Sequence, residues 1–278
     1  MLVIGQPALG LVRVEAVAGR WRVADLTVPD RPDADDLAHY LLDAALGMAL
    51  DRGATRVAVP TASGTEERSL ADEPAPRPAV SVIPLRERAG RLEVFVQHRV
   101  ATMDAFAGVV VFPGGRVDGA DAAAGAALDL APDLLGAHAR RWAATPHDPR
   151  TLLATGVREL AEETGAVVDP ARLVPWDNWI TPIGYRRRFD VAFFLLPDAD
   201  DAHVHATTEA SASEWLTLDD LVARTEAGHV AMVPPTRTLV DELHRLGSID
   251  AALAVAGASG PIEPVRHDVS GPRPRRAP

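Results

Sequence analysis

The chain has 278 residues, 47% of them hydrophobic, a formal net charge of -11 and no cysteine. That length admits one or two domains, and the apolar fraction is enough to bury a sizeable core. Disulfides, thiolate metal sites and cysteine nucleophiles are excluded, and the acidic balance argues against general affinity for nucleic acid. All 28 basic residues are arginine, so no lysine can form a Schiff base or serve a phosphate-binding loop. No segment holds 18 consecutive apolar residues, so no membrane span is expected. The opening MLVIGQPALGLVRVEAVAGR lacks the basic start and continuous apolar run of a secretory signal, and a cytoplasmic location is the expectation.

In chain order, LVRVEAV (11–17) and WRVADLTV (21–28) read as strands joined by an Ala-Gly turn. Residues 33–50 carry Leu37, Leu41, Leu42, Ala45 and Met48 at near-helical spacing, with Asp33 or Asp35 as a cap and Gly53 beyond the end. TRVAVP (55–60) is a short strand. Residues 1–60 therefore read as a small β-β-α-β unit. Residues 61–78, rich in Pro, Ser, Glu and Ala, read as a linker. A second domain is expected over 79–260. It opens on two strands, AVSVIPL and LEVFVQHRV, of one hairpin, and GVVVFPGGRVDGAD then runs from a buried strand into a glycine-rich turn. Residues 122–146 are helical in composition, with a break near Pro132. Thr151–Thr164 is a helix with one apolar stripe, Leu153, Val157 and Leu160. VPWDNWITP and RFDVAFFLL are strand candidates. SEWLTLDDLVART turns from strand into helix, and helices follow near 234–246 and 249–256. The end SGPRPRRAP has no core residues, and the tail, 261–278, is expected to be disordered.

The segment RELAEETGAV (158–167) stands out. Glu159, Glu162 and Glu163 fall on one helical face, roughly opposite the apolar stripe, with only Arg158 as a near counter-charge. Like charges three and four apart destabilise a helix. A solvated acidic face ended by a glycine cap is one account. The other is a hard divalent cation, which takes oxygen ligands of this kind together with substrate phosphates. Upstream, Gly114 and Gly115 permit a close backbone approach to a ligand.

GGRVDGAD followed by RELAEETGA resembles the Nudix box, G-x5-E-x7-R-E-U-x-E-E-x-G-U with U apolar. Gly115 matches the leading glycine and Asp121 the first acid. Arg158, Glu159, Leu160, Glu162, Glu163, Gly165 and Ala166 match the second half. Asp121 stands where the family usually has Glu, and 36 residues (122–157) separate it from Arg158 where the usual box has seven. A box interrupted in this way, with WITPIGYRRRFDVAFFLL (179–196) and VPPT (233–236) downstream, resembles the branch that includes acyl-coenzyme A diphosphatases.

The resemblance implies an α/β/α sandwich with a mixed sheet and Mg2+- or Mn2+-dependent hydrolysis of a nucleoside diphosphate linked to another moiety. Coenzyme A or acyl-CoA is the expected substrate; NADH, ADP-ribose or a non-catalytic ligand sensor are the alternatives. It makes Glu159, Glu162, Glu163 and the carbonyl of Gly115 metal ligands. Glu162, Arg158 and Glu209 become the catalytic set, with Arg158 orienting the carboxylates and Glu209 a solvent-facing loop acid otherwise. Asp118 and Asp121 read as turn and cap residues. Arg187 and Arg188 could hold a substrate phosphate or form a solvated basic turn, and Phe189, Trp176 and Trp179 could line the pocket or the core. His203 and His205 form an H-x-H pair; a metal pair on a strand is one account, but no third ligand is near in sequence, and a polar strand face is the reading. The apolar residues of the insert, Leu128, Leu130, Leu134, Leu135 and Trp142, predict a folded element covering the phosphate site.

The N-terminal unit weakly resembles the central part of an acetyltransferase. It lacks the glycine-rich pyrophosphate loop and has DRPDADDLA in its place. It therefore reads as a structural or dimerising appendage. The expected partners are a small-molecule nucleotide and a second copy of the chain, without nucleic acid or membrane.

Overall fold

The computed structural model describes residues 2–6, 10–28, 38, 42, 45–47, 49–50, 52–61, 63–70, 75–99, 109–181, 187–199, 204–206 and 210–265. The chain divides into two units. The first runs to Pro76 and takes in Ile180–Phe189 and Val265. The second holds Arg77–Trp179 and Asp190–Pro264. No helix among the described residues is long and apolar enough to cross a membrane.

The first unit is a five-stranded sheet in the order β1 (Leu2–Gln6), β2 (Gly10–Val17), β3 (Arg20–Thr27), β4 (Arg56–Thr61), β5 (Gly64–Ser69). β2 and β3 turn back through Ala18 and Gly19, both at positive φ, which suits the twist of a two-residue hairpin. β3 and β4 are parallel, so the chain must cross over between them, and helical residues between 38 and 50 supply the crossover. Val12, Val14, Val23, Ala45, Leu46, Ala49, Val57 and Val59 form its core. The expected β-β-α-β unit is thus extended by a strand at each edge. The linker reading of 61–78 is corrected: GTEERS pairs antiparallel with β4 from Arg56↔Ser69 to Thr61↔Gly64. Its side chains are almost all exposed, so hydrophobic patterning could not announce it; backbone pairing holds it. The helix cap proposed at Asp33 or Asp35 lies outside the described residues.

The second unit is a sheet in the order β10 (Val174–Ile180), β11 (Phe189–Leu196), β6 (Arg77–Arg88), β7 (Arg91–Arg99), β12 (Ala210–Thr217). Two short strands join it: β8 (Val110–Val111) pairs with β7, and β9 (Gly114–Arg116) pairs with β6. The β6–β7 hairpin is longer than the sequence suggested, turning only at Ala89 and Gly90. Among the described residues six α-helices complete the unit, α1 (Gly119–Ala126), α2 (Pro132–Arg141) and α3 (Pro149–Thr164) between β9 and β10, and α4 (Leu218–Glu226), α5 (Pro234–Leu246) and α6 (Ile249–Ala258) after β12. α3 lies on Val80 and Val82 of β6, while α4 packs on β7 and β12 and α6 on β6.

The start and stop of α3 are written locally. Asp148 accepts the Thr151 N–H at 2.9 Å, Pro149 opens the first turn, and Gly165 closes the helix in the left-handed conformation at φ 72°. Leu153 and Leu160 are fully buried and Val157 packs at the edge of the same cluster, as the stripe predicted. The insert is folded. Leu130 and Trp142 enter the core with Leu153, Leu160 and Phe194, and Leu128, Leu134 and Leu135 pack against it. These apolar residues were expected to cover the phosphate site; their described contacts run to the core instead. The tail is also corrected in part: Ile262 is buried and its N–H donates to the Arg141 carbonyl at 2.7 Å. The Val265 carbonyl also accepts the Ile180 N–H at 2.8 Å, and residues 266–278 lie outside the described ones.

His138 of α2 is 2% exposed and stacks on Phe194, and burial pushes its pKa down to about 4. The unfolded chain takes up a proton near pH 6.5 that the folded state refuses until about pH 4. Stability should therefore be complete above pH 6.5 and fall as pH drops to 4, by about 3 kcal/mol in all. Urea midpoints of wild type and His138→Phe, measured at pH 7.5 and 4.5, check this: the variant should lose less of its stability between the two.

Candidate active site

The glycine turn and the acidic helix meet in the second unit. Gly114 N–H donates to Glu163 Oε2 at 2.9 Å. A Cβ on Gly115 would stand 2.4 Å from Glu159 Oε1, so that residue leaves the carboxylate room that no other residue would. A Cβ on Gly114 would be 2.2 Å from the Val80 carbonyl oxygen. Both glycines thus serve close approach, one to the neighbouring strand and one to the helix.

Arg158 organises the acids. Its Nε and Nη2 hold Asp121 at 2.9 Å each as a two-pronged pair. Nη1 donates to Glu159 Oε1 at 2.9 Å and to Glu162 Oε2 at 3.1 Å, and Nη2 also reaches the Arg116 carbonyl at 2.9 Å. A guanidinium has five N–H groups in a fixed fork, and these contacts match them. The hydrogen bonds to Asp121 hold the Arg158 pKa above even its ordinary high value. At Asp121 burial works toward the neutral form. The hydrogen bonds from Arg158, the Asp118 N–H (2.8 Å) and the Thr155 hydroxyl (2.9 Å) outweigh it and hold the carboxyl below its usual range.

The three glutamates differ in exposure, which the single-face reading did not foresee. Glu159 and Glu163 are buried, 9% and 7% exposed, whereas the Glu162 side chain is 59% exposed. Burial pushes the Glu159 carboxyl up; Arg158 opposes this, and the charges of Glu162 and Asp121 add to it. The donor chemistry, three carboxylates beside a glycine-lined backbone turn, fits a hard divalent cation. It is not a preformed cage: no group of three His, Asp or Glu side chains among the described residues converges on one point. Glu163 Oε2 accepts from the Gly114 N–H and Glu162 Oε2 from Arg158 Nη1.

Asp118 and Asp121 are turn and cap residues, as read. Trp176 and Trp179 are buried, and Trp179 Nε1 donates to Asp177, so both belong to the interior. His205 is exposed, with Nδ1 3.0 Å from Ser213 Oγ. Glu209 and His203 lie outside the described residues. Arg187 and Arg188 fall in the first unit, and Phe189 stands at the boundary, where β11 begins. Arg188 Nε donates to the Thr181 carbonyl at 3.2 Å, the Phe189 N–H donates to Thr181 Oγ1 at 3.0 Å, and Arg187 is exposed. Two features went unread in the sequence. Thr155 is one. The other is a buried polar chain at the start of α3, where His147 Nε2 lies 2.8 Å from Asp190 Oδ2 and Asn178 Nδ2 donates to Asp190 Oδ1 at 2.7 Å. A polar residue inside an otherwise apolar strand, such as Asp190 in RFDVAFFLL, was the available signal.

No family model matches the chain. A Caenorhabditis elegans protein described as "Putative nudix hydrolase 7" is 30% identical over 168 residues, 56% of either chain. The chain thus spans about half the length of the curated relative it matches. The crystal structure of a NUDIX hydrolase from Alicyclobacillus acidocaldarius superposes with a TM-score of 0.53 at 23% identity. That match covers 65% of this chain and 96% of the other. The mixed α/β fold of this chain is thus the one seen in that NUDIX hydrolase structure.

Proposed function

We propose that the chain is a Nudix diphosphatase that hydrolyses a nucleoside diphosphate linked to another moiety, with coenzyme A or an acyl-CoA as substrate. The observation that supports the activity is the meeting of Gly114 and Gly115 with the carboxylates of α3, organised by Arg158. Mg2+ or Mn2+ would be held by Glu159, Glu162, Glu163 and the Gly115 carbonyl. When bound, it neutralises phosphate charge and activates water. In the reaction a water oxygen bonds to one phosphorus and the bridging oxygen leaves with the other. The water proton passes to a carboxylate of the box or to Glu209. Arg158 keeps Glu159 and Glu162 oriented while that happens. Residues 1–60 act as a structural or dimerising appendage.

The substrate assignment is supported by the interrupted box and by the downstream WITPIGYRRRFDVAFF and VPPT stretches. Coenzyme A carries a 3'-phosphate that NADH and ADP-ribose lack. Arg187 and Arg188 are assigned to it, with Phe189 beside them, because a guanidinium binds phosphate through two parallel hydrogen bonds. A protein of net charge -11 needs such a local patch to admit a polyanion.

The test is kcat/KM for CoA, dephospho-CoA, NADH and ADP-ribose with Mg2+ or Mn2+, with products identified by mass spectrometry. A lost charge-assisted hydrogen bond is worth ~1.5–3 kcal/mol, so CoA should be preferred over dephospho-CoA by about tenfold or more. Arg187→Ala or Arg188→Ala should erase that preference. Equal cleavage of dephospho-CoA, or a preference untouched by both variants, removes the CoA assignment. Turnover of none of the four removes the diphosphatase reading for these substrates.

A further inference from the structure

α1 and α3 touch at two places one turn apart. At the first, Asp121 of α1 meets Thr155 and Arg158 of α3. At the second, four residues on, a Cβ added to Gly125 would stand 2.6 Å from the Arg150 carbonyl oxygen and 2.9 Å from Thr151 N. Asp121 to Gly125 is one helical turn, and so is Thr151 to Thr155. The two helices are therefore in antiparallel register, with backbone against backbone at Gly125. Arg150 Nη1 donates to the Leu128 carbonyl at 2.8 Å and ties down the residues that follow α1.

An aspartate is short, and its reach is set by how near α1 lies to α3. Asp121 is 2% exposed, so its orientation is fixed by its partners rather than by water. Oδ1 takes Arg158 Nε alone, whereas Oδ2 takes Arg158 Nη2, the Asp118 N–H and the Thr155 hydroxyl. Thr155 is fully buried, and its hydroxyl also lies 2.9 Å from the Thr151 carbonyl. Between these two acceptors the charged carboxylate is the stronger.

We propose that Thr155 and Gly125, both within the insert, are positioning residues of the cation site. Gly125 sets the distance between the helices and Thr155 sets the orientation of Asp121. Asp121 aims Arg158, and Arg158 holds Glu159 and Glu162. The proposal rests on the reading of the site given above. It adds that the insert supplies part of the scaffold on which the site depends.

The test is Mn2+ binding to the full chain, followed by the electron paramagnetic resonance of free Mn2+, which needs no substrate and no turnover. Direct partners of a metal ligand, the place Arg158 takes here, are worth about 10–100-fold in affinity, and Thr155 acts on Arg158 through Asp121, so the low end applies. Thr155→Val, which keeps the shape and removes the hydroxyl, should weaken Mn2+ binding about tenfold. Thr155→Ser, which keeps the hydroxyl, should stay within about twofold. In an Asp121→Asn background the Thr155→Val change should have no further effect, because the two act through one interaction. Gly125→Ala, which alters neither Asp121 nor Thr155, should weaken binding in the same direction and covers the case in which Thr155→Val does not fold. Mn2+ binding by Thr155→Val within about twofold of wild type overturns the proposal, as does an equal loss with and without Asp121. So does wild-type affinity in Gly125→Ala. Wild-type binding without turnover of any diphosphate would overturn the proposed function and leave this inference standing; absence of Mn2+ binding in wild type would overturn both.

Discussion

Glu162→Gln should lower kcat at saturating Mg2+ on the order of a thousandfold while the protein stays folded. A cation's stabilisation of developing phosphate charge is worth several kcal/mol, and removing one anionic ligand forfeits much of it. The same substitution should hardly touch stability. The Glu162 side chain is 59% exposed, and its ion pair with Arg158 is an i,i+4 surface contact of 3.1 Å. Such pairs are worth about 0.3–0.5 kcal/mol, and here the loss is offset by weaker repulsion among Glu159, Glu162 and Glu163. Circular dichroism melts beside rates measured over a range of Mg2+ concentrations decide the matter. A variant that keeps the wild-type rate at every Mg2+ concentration would show that Glu162 takes no part in the chemistry.

The largest effect on stability should come from Gly114→Ala. A methyl group there would sit 2.2 Å from the Val80 carbonyl oxygen and 2.7 Å from the Ser81 Cα, and both are backbone atoms of a central strand that cannot turn aside. The residue is also at φ 152°, where an L side chain is strained. Overpacking and backbone strain together should cost about 3 kcal/mol, seen as a lower urea midpoint. Gly115→Ala is the informative neighbour. Its methyl would meet only the end of the Glu159 side chain, which can swing away. It should therefore keep most of the stability and lose cation affinity. Equal melting of Gly114→Ala and wild type would mean that β9 does not pair with β6 as described.

Much of this was legible in the residues, for identifiable reasons. The helix read over 151–164 announced itself by its stripe and its glycine stop, both local signals, while its start at Pro149 passed for part of a turn. The link between the glycine turn and RELAEETGA was readable only through resemblance, because 36 residues intervene and no local rule spans them. What stayed hidden was context. GTEERS has no apolar pattern, and pairing with β4 alone makes it a strand. The burial of Glu159 and Glu163 could not be told from a helical wheel, since the wheel shows a face and not what the glycine turn and Arg158 do to it. Thr155 looked like a neutral helix residue. Its partner stands 34 positions earlier in the chain, beyond the reach of any spacing argument.

The ion pair of Asp121 and Arg158 also explains why a stretch of 36 residues is tolerated between them. Loop-closure entropy grows only with the logarithm of length, so going from seven connecting residues to 36 adds about 1.5 kcal/mol to the cost of bringing the ends together. Trp142, inside that stretch and 1% exposed, stabilises the fold by about 2–3 kcal/mol through its own burial. The lengthened connection is thus self-supporting as far as closure is concerned. Most of its sequence is free to vary, provided that the two charged ends still clasp, Gly125 and Thr155 keep their contacts, and a few apolar side chains still reach the core.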